Sequence, residues 1–233
     1  MTPATPGDPT TLRHILTHTT ALLLDFDGPV CSVFAGLPAH TVVTQLCLVL
    51  ADGGYGDPPI EIEKNDDPFQ VLTYAANLGD AEARYVNAAF TAHEVEAITT
   101  AQPTPGAHDL IRAWSATGRP LAIVSNNSTI AIHTYLDLPD LRPHATHVSA
   151  RTSPNPALLK PHLHLLTTAL TALNVPPAAA TFLGDSVTDI HAARAAHTMS
   201  IGYANKPRKT TELMTAGADT VIPTPATLSK QIM

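Results

Sequence analysis

Ala21-Leu22-Leu23-Leu24-Asp25-Phe26-Asp27-Gly28-Pro29 decides the fold. Four apolar residues in a row, too few for a helix and stopped by Gly-Pro, read as a short strand buried on both faces, as in a parallel sheet. The strand ends on two carboxylates, Asp25 and Asp27, which the turn at Gly28-Pro29 lets diverge. The pattern returns further along. Residues 121–124 run into Ser125-Asn126-Asn127, and 181–183 run into Gly184-Asp185-Ser186. Residues 199–202 and 220–222 read as further strands, and 145–148 as a sixth. Helical patterns separate them: 106–117, with Leu110, Ile111 and Trp114 on one face, then 129–136, 161–173 and 187–196, the last behind Ser186 as N-cap. Strand and helix in alternation imply an α/β fold, a Rossmann-like parallel sheet with helices on both faces. In such sheets ligands bind at the carboxyl ends of the strands. The polar residues that close the first three strands therefore meet at one edge.

Between the first strand and Pro103 about seventy residues carry no good strand but two helical stretches, 39–50 and 80–99, with a Gly/Pro-rich loop over 52–59. This predicts an inserted α-helical cap subdomain over 32–103, with the core assembled from 20–31 and 104–233. Residues 1–19, rich in Thr, Pro and His, read as an N-terminal arm, loose except for a short helix near 11–20. The 13 Lys+Arg against 20 Asp+Glu, a net charge of −7, argue against a nucleic-acid coat or an anionic-membrane binder. Two cysteines, Cys31 and Cys47, exclude a disulfide scaffold and a cysteine zinc site and read as free thiols. No basic n-region and no membrane-length apolar run is present, so the expectation is a soluble cytoplasmic protein, monomer or homodimer.

Asp25 and Asp27, with Asp185 and Asp189 four apart across a strand end and the next helix, bring four carboxylates to one edge. They repel unless a cation neutralises them, and oxygen-only ligands favour Mg²⁺ over zinc. Ser125 adds a hydroxyl and Lys160 a positive charge, which together with a metal make a phosphate site. A carboxylate nucleophile can then take up the phosphoryl group.

The ordered set Asp25-Phe26-Asp27-Gly28, Ser125, Lys160 and Gly184-Asp185-Ser186-Val187-Thr188-Asp189 resembles the haloacid dehalogenase-like (HAD) superfamily. Pro105-Gly106-Ala107 and Gly217-Ala218-Asp219 look like the same family, and the resemblance spans about residues 20–222. It implies that Asp25 is the nucleophile and becomes an aspartyl phosphate. Asp27 is then the general acid, later the general base. Ser125 hydrogen-bonds the phosphoryl oxygens, and Lys160 neutralises them and Asp25. Mg²⁺ is implied on Asp25, the Asp27 carbonyl and Asp185, with Asp189 as ligand or supporting partner. Pro29 departs from the Thr or Val usual in the family, which removes a hydroxyl and stiffens the loop. The chemistry is expected to survive this, with an altered cap hinge.

The expected substrate is a small phosphorylated metabolite. Gly28 and Asn126 are expected to touch it, although Asn126 and Asn127 read equally well as an Asx-turn. Lys64 and Arg84, the only formal cations between residues 31 and 103, are expected to bind any second anionic group. A dehalogenase would not need Asp27. A phosphonoacetaldehyde hydrolase would need a cap lysine for a Schiff base, and Lys64 sits among acidic neighbours, where it reads as paired and solvated. A phosphomutase and a non-catalytic subunit of the same fold are the remaining alternatives.

Overall fold

The computed structural model describes residues 7–232. The chain opens with α1 (Pro9–His18), then β1 (Ala21–Leu24) and β2 (Cys31–Ser32). Four helices follow: α2 (Ala39–Asp52), α3 (Ile60–Glu63), α4 (Pro68–Leu78) and α5 (Asp80–Ile98). After β3 (Gln102–Pro103) come α6 (Ala107–Ala116), β4 (Leu121–Ser128), α7 (Thr129–Asp137), β5 (His147–Arg151) and α8 (His164–Leu173). The chain closes with β6 (Ala180–Gly184), α9 (Val187–Ala195), β7 (Met199–Tyr203), α10 (Pro207–Ala216), β8 (Thr220–Ile222) and α11 (Ala226–Ile232).

Six strands form one wholly parallel sheet in the order β5-β4-β1-β6-β7-β8. The α/β, Rossmann-like reading holds. β1 is central, with Leu22 opposite Leu121 on one side and Thr181 on the other. Its side chains alternate between two cores. Leu22 and Leu24 join the core under α1, α6 and α7, whereas Ala21 and Leu23 join α8, α9 and the helices of the insert. The chain order reverses direction across the sheet at β1, so the carboxyl ends of β4, β1 and β6 flank the crevice where such folds bind ligands.

Three differences from the sequence reading have local causes. The short helix expected near 11–20 is present as α1, starting two residues earlier behind an Asp8 cap, and it is docked rather than part of a loose arm: Leu12, Ile15 and Leu16 at helical spacing are buried in the core. The first six residues of that expected arm lie outside the described ones. The helix expected from 161 begins at His164 because Pro161 and the two residues after it form a turn. β5 lies a few residues later than expected, pairing Val148 with Ile123 and Ala150 with Ser125.

The helices of the insert leave and rejoin the core through a two-stranded ribbon in which Cys31 faces Pro103 and Ser32 faces Gln102. The reading of 39–50 and 80–99 found α2 and α5 but missed α4. Its signals were an Asp67 N-cap, a Pro at the first helical position, and the apolar set Val71, Leu72 and Ala75 on one face. Cys31 and Cys47 are buried free thiols.

Candidate active site

Asp25 leaves the end of β1 with its amide N–H donated to the Leu183 carbonyl of β6 at 2.9 Å, so the central pairing fixes its backbone. Its Oδ1 accepts from the Phe26 amide at 2.7 Å and lies 2.7 Å from Lys160 Nζ. Oδ2 is the oxygen left free of these contacts. Burial and the facing Asp189 push the Asp25 carboxyl well above the usual carboxylate range, an effect Lys160 only partly offsets.

Lys160 is buried and shared. Its Nζ meets Asp25, Asp189 Oδ1 at 2.6 Å and the Val124 carbonyl at 3.3 Å. Burial works against the ammonium, but Asp189 and Asp25 together outweigh it and hold its pKa above the ordinary lysine value. The Asn126 side chain holds the main chain of this lysine. Its Oδ1 accepts from the Lys160 amide at 2.8 Å and its Nδ2 donates to the Lys160 carbonyl at 3.2 Å. Asn126 lines the site cavity, and its side-chain amide is spent on the Lys160 main chain rather than on an Asx-turn. With both ends of its amide committed, the side chain anchors the lysine.

Ser125 is buried beside it, donating to Asn127 Oδ1 at 3.1 Å. Asp27 turns its Oδ1 to the Val33 amide at 2.9 Å, and burial, with Asp185 nearby, raises its pKa to about 6. That is a suitable value for a group that must give and take a proton near neutrality.

Carboxylate oxygens of Asp25, Asp185 and Asp189 lie within 4.8 Å of one another, an all-oxygen donor set that fits Mg²⁺. Two glycines permit this crowding. Gly28 has φ +106°, and a Cβ there would fall 2.5 Å from Asp185 Cγ. A Cβ on Gly184 would fall 2.3 Å from Asp189 Cβ. Gly28 thus makes room for the carboxylate cluster. Asp189 is fully buried with both oxygens engaged: Oδ1 holds Lys160, while Oδ2 accepts from the Asp185 and Ser186 amides and the Ser186 hydroxyl. The same contacts make Ser186 and Asp189 a reciprocal capping box for α9. Asp189 is therefore placed to brace the lysine and the loop. Lys209 of α10 pairs with Asp185, a contact that sequence reading did not suggest.

Behind Ser125–Asn127 lies a buried network that joins the insert to the core. Glu94 of α5 accepts from the Ser128 amide at 3.0 Å, Asn127 Nδ2 at 3.1 Å and Arg151 Nη2 at 2.6 Å. Arg151 also donates to the Asn126 carbonyl at 3.1 Å and to Asn87, and its guanidinium lies over the Phe90 ring. Sequence reading missed Glu94, Arg151 and Asn87. A Glu on a helix and an Arg at a strand end are ordinary surface residues until the fold brings them together.

These groups open on a cavity of about 450 Å³, walled on the core side by Asp25, Asp27, Ser125, Lys160 and Asp185. Its cap-side wall is Asp67, Phe69, Gln70 and Thr73 of the missed α4 and its N-cap. Lys64, just after α3, and Arg84, on α5, are exposed and do not line this cavity. Among the described residues no helix is long and apolar enough to cross a membrane.

A family model for haloacid dehalogenase-like hydrolases matches residues 19–197. No curated protein matches the chain. Among solved structures, a predicted phosphatase from Clostridium acetobutylicum superposes with a TM-score of 0.67 at 17% identity, over 91% of this chain and 97% of that one. CbbY from Rhodobacter sphaeroides in complex with phosphate gives 0.63 at 22%, over 89% and 95%. A HAD family hydrolase from Deinococcus radiodurans, with bound phosphate and sodium, gives 0.56 at 26%, over 89% and 92%.

Proposed function

We propose that this chain, which belongs to the haloacid dehalogenase-like hydrolases, hydrolyses a small phosphomonoester with Mg²⁺ through an aspartyl phosphate on Asp25. The observation that carries the reading is Lys160 held between Asp25 and Asp189 at the sheet edge, with Asp27 and Asp185 lining the same cavity. Asp25, Asp185 and the Asp27 carbonyl would hold the cation, with Asp189 behind them. When bound, Mg²⁺ neutralises the carboxylates and draws charge off the phosphoryl group. Asp25 Oδ2 attacks phosphorus as the P–O bond to the alcohol breaks, and Asp27 gives its proton to the departing oxygen. Asp27, now a carboxylate, takes a proton from water. The water oxygen attacks the phosphoryl group, freeing inorganic phosphate and restoring Asp25. Lys160 stabilises the charge in both steps.

The direct test is phosphate release from p-nitrophenyl phosphate, which EDTA should abolish and Mg²⁺ restore. Full turnover in excess chelator would refute the reading. A second readout is independent of turnover. Relief of carboxylate repulsion should raise the melting temperature by roughly 5 °C or more at a hundredfold excess of Mg²⁺ over its Kd.

Asp27→Asn separates the two steps. Asn keeps an acceptor for the Val33 amide but cannot shuttle a proton. The p-nitrophenolate group leaves with little help, so a stoichiometric burst should precede a steady state slowed by ~10²–10⁴-fold. An alkyl phosphate should give no burst. Wild-type steady turnover of the alkyl ester by this variant would remove Asp27 from the acid–base role.

A further inference from the structure

The cavity has one cation on its walls, Lys160, and that cation is already divided between Asp25 and Asp189. Its other charged lining groups are five aspartates: Asp25, Asp27, Asp67, Asp185 and Asp189. Lys160 and a divalent ion suffice for the phosphoryl group. A second anionic group on the substrate would find no partner among the described lining residues and would face Asp67 on the opposite wall. A like charge placed this way discriminates by repulsion.

The same wall offers something to a cation. Asp67 caps α4 with Oδ1, which accepts from the Phe69 amide at 2.9 Å. Its Oδ2 receives only a long contact from Gln70 Nε2, at 3.5 Å, so acceptor capacity remains. Phe69 beside it is half-buried, and its ring is fixed edge-on against Phe90 with centroids 5.0 Å apart. A carboxylate with acceptor capacity to spare and an aromatic ring on the same cavity wall can serve an ammonium group through charge pairing and, over the ring face, cation–π attraction. Gln70 and Thr73 complete the wall with neutral polar groups.

Building on the phosphatase reading above, we propose that the substrate is an amino-alcohol phosphate. Its ammonium is taken up by Asp67 and Phe69, and esters carrying a second anion are rejected.

Three esters of nearly equal size test this: phosphoethanolamine, 2-hydroxyethyl phosphate and phosphoglycolate. With Mg²⁺, kcat/KM should fall about tenfold from the first to the second and about tenfold again to the third. Asp67→Asn keeps the helix cap while removing the charge. It should compress the ratio of first to third by about tenfold or more. Phosphoglycolate used as well as phosphoethanolamine, or ratios unmoved in Asp67→Asn, would overturn the proposal. Equal use of the first two esters would overturn its ammonium part and leave a neutral polyol phosphate. Binding of the three esters to the Asp25→Asn protein, followed by calorimetry, reads the same order without turnover. If no ester is hydrolysed and the binding order still holds, the phosphatase reading fails and the specificity stands. If the order is lost, the specificity fails on its own.

Discussion

Asp25→Asn protein is expected to fold, to melt at least as high as the parent when metal-free, and to release phosphate from p-nitrophenyl phosphate at a rate lower by on the order of 10⁴-fold or more. The activity loss follows from the chemistry, since an amide oxygen cannot form and discharge an acyl phosphate. The stability follows from the surroundings. Asp25 is buried among carboxylates that share Lys160, and burial and Asp189 push its pKa up. Removing its charge relieves repulsion while Lys160 keeps its 2.6 Å contact with Asp189. Thermal melting and a phosphate assay on one preparation check both halves. Measurable wild-type turnover would end the case for Asp25 as nucleophile. A collapse in melting temperature would instead make it a structural residue.

Glu94→Ala has the largest expected effect on stability. Glu94 is fully buried, and its removal strands three donors at once: the Arg151 guanidinium, the Ser128 amide and Asn127 Nδ2. Breaking a buried ion pair from one side costs about 3–5 kcal/mol, a large share of the roughly 5–15 kcal/mol that holds a domain together. Urea denaturation should show the midpoint falling accordingly. Arg151→Met alone should also destabilise, and the double variant should lose less than the sum of the two, because each removes the other's unpaired partner. A Glu94→Ala loss under about 1 kcal/mol would mean that water or a rearranged Arg151 replaces the carboxylate. The effect reaches the site as well, since the same carboxylate positions Ser128 and Asn127, whose side chain takes the Ser125 hydroxyl.

What could be read from the sequence was what is local. The run from Ala21 to Asp27 carries its own evidence, because a tetrad of apolar residues before two carboxylates has few other uses. The ends of β4 and β6 repeat that logic, and the family order of motifs ties them together. α4 escaped because Pro68 and its acidic, Asn-bearing approach look like loop, so the whole cap-side wall escaped with it. That is also why Lys64 and Arg84 drew attention: with the wall unseen, the only cations in the insert stood in for it. Glu94 and Arg151 could not be paired from the sequence at all, since nothing in either neighbourhood marks them as buried. Asn126 had two readings, a phosphate contact and an Asx-turn, and the use of its side chain to hold the main chain of Lys160 depends on a contact with a residue in a different loop.

The place of β1 has a consequence for how the molecule comes into being. It is the earliest strand of the sheet to be translated and also its middle one, bonded to strands that begin at Leu121 and Ala180. A nascent chain therefore holds a bare apolar ribbon with both edges unpaired until β4 is made, about half-way along the chain, and with one edge unpaired until β6 follows, liable meanwhile to stick to other chains. Asp25 gains its last backbone partner only when Leu183 emerges. A chain stopped short of β6 is therefore expected to be a client for chaperones, whereas the five residues of β6 close the sheet around its first strand.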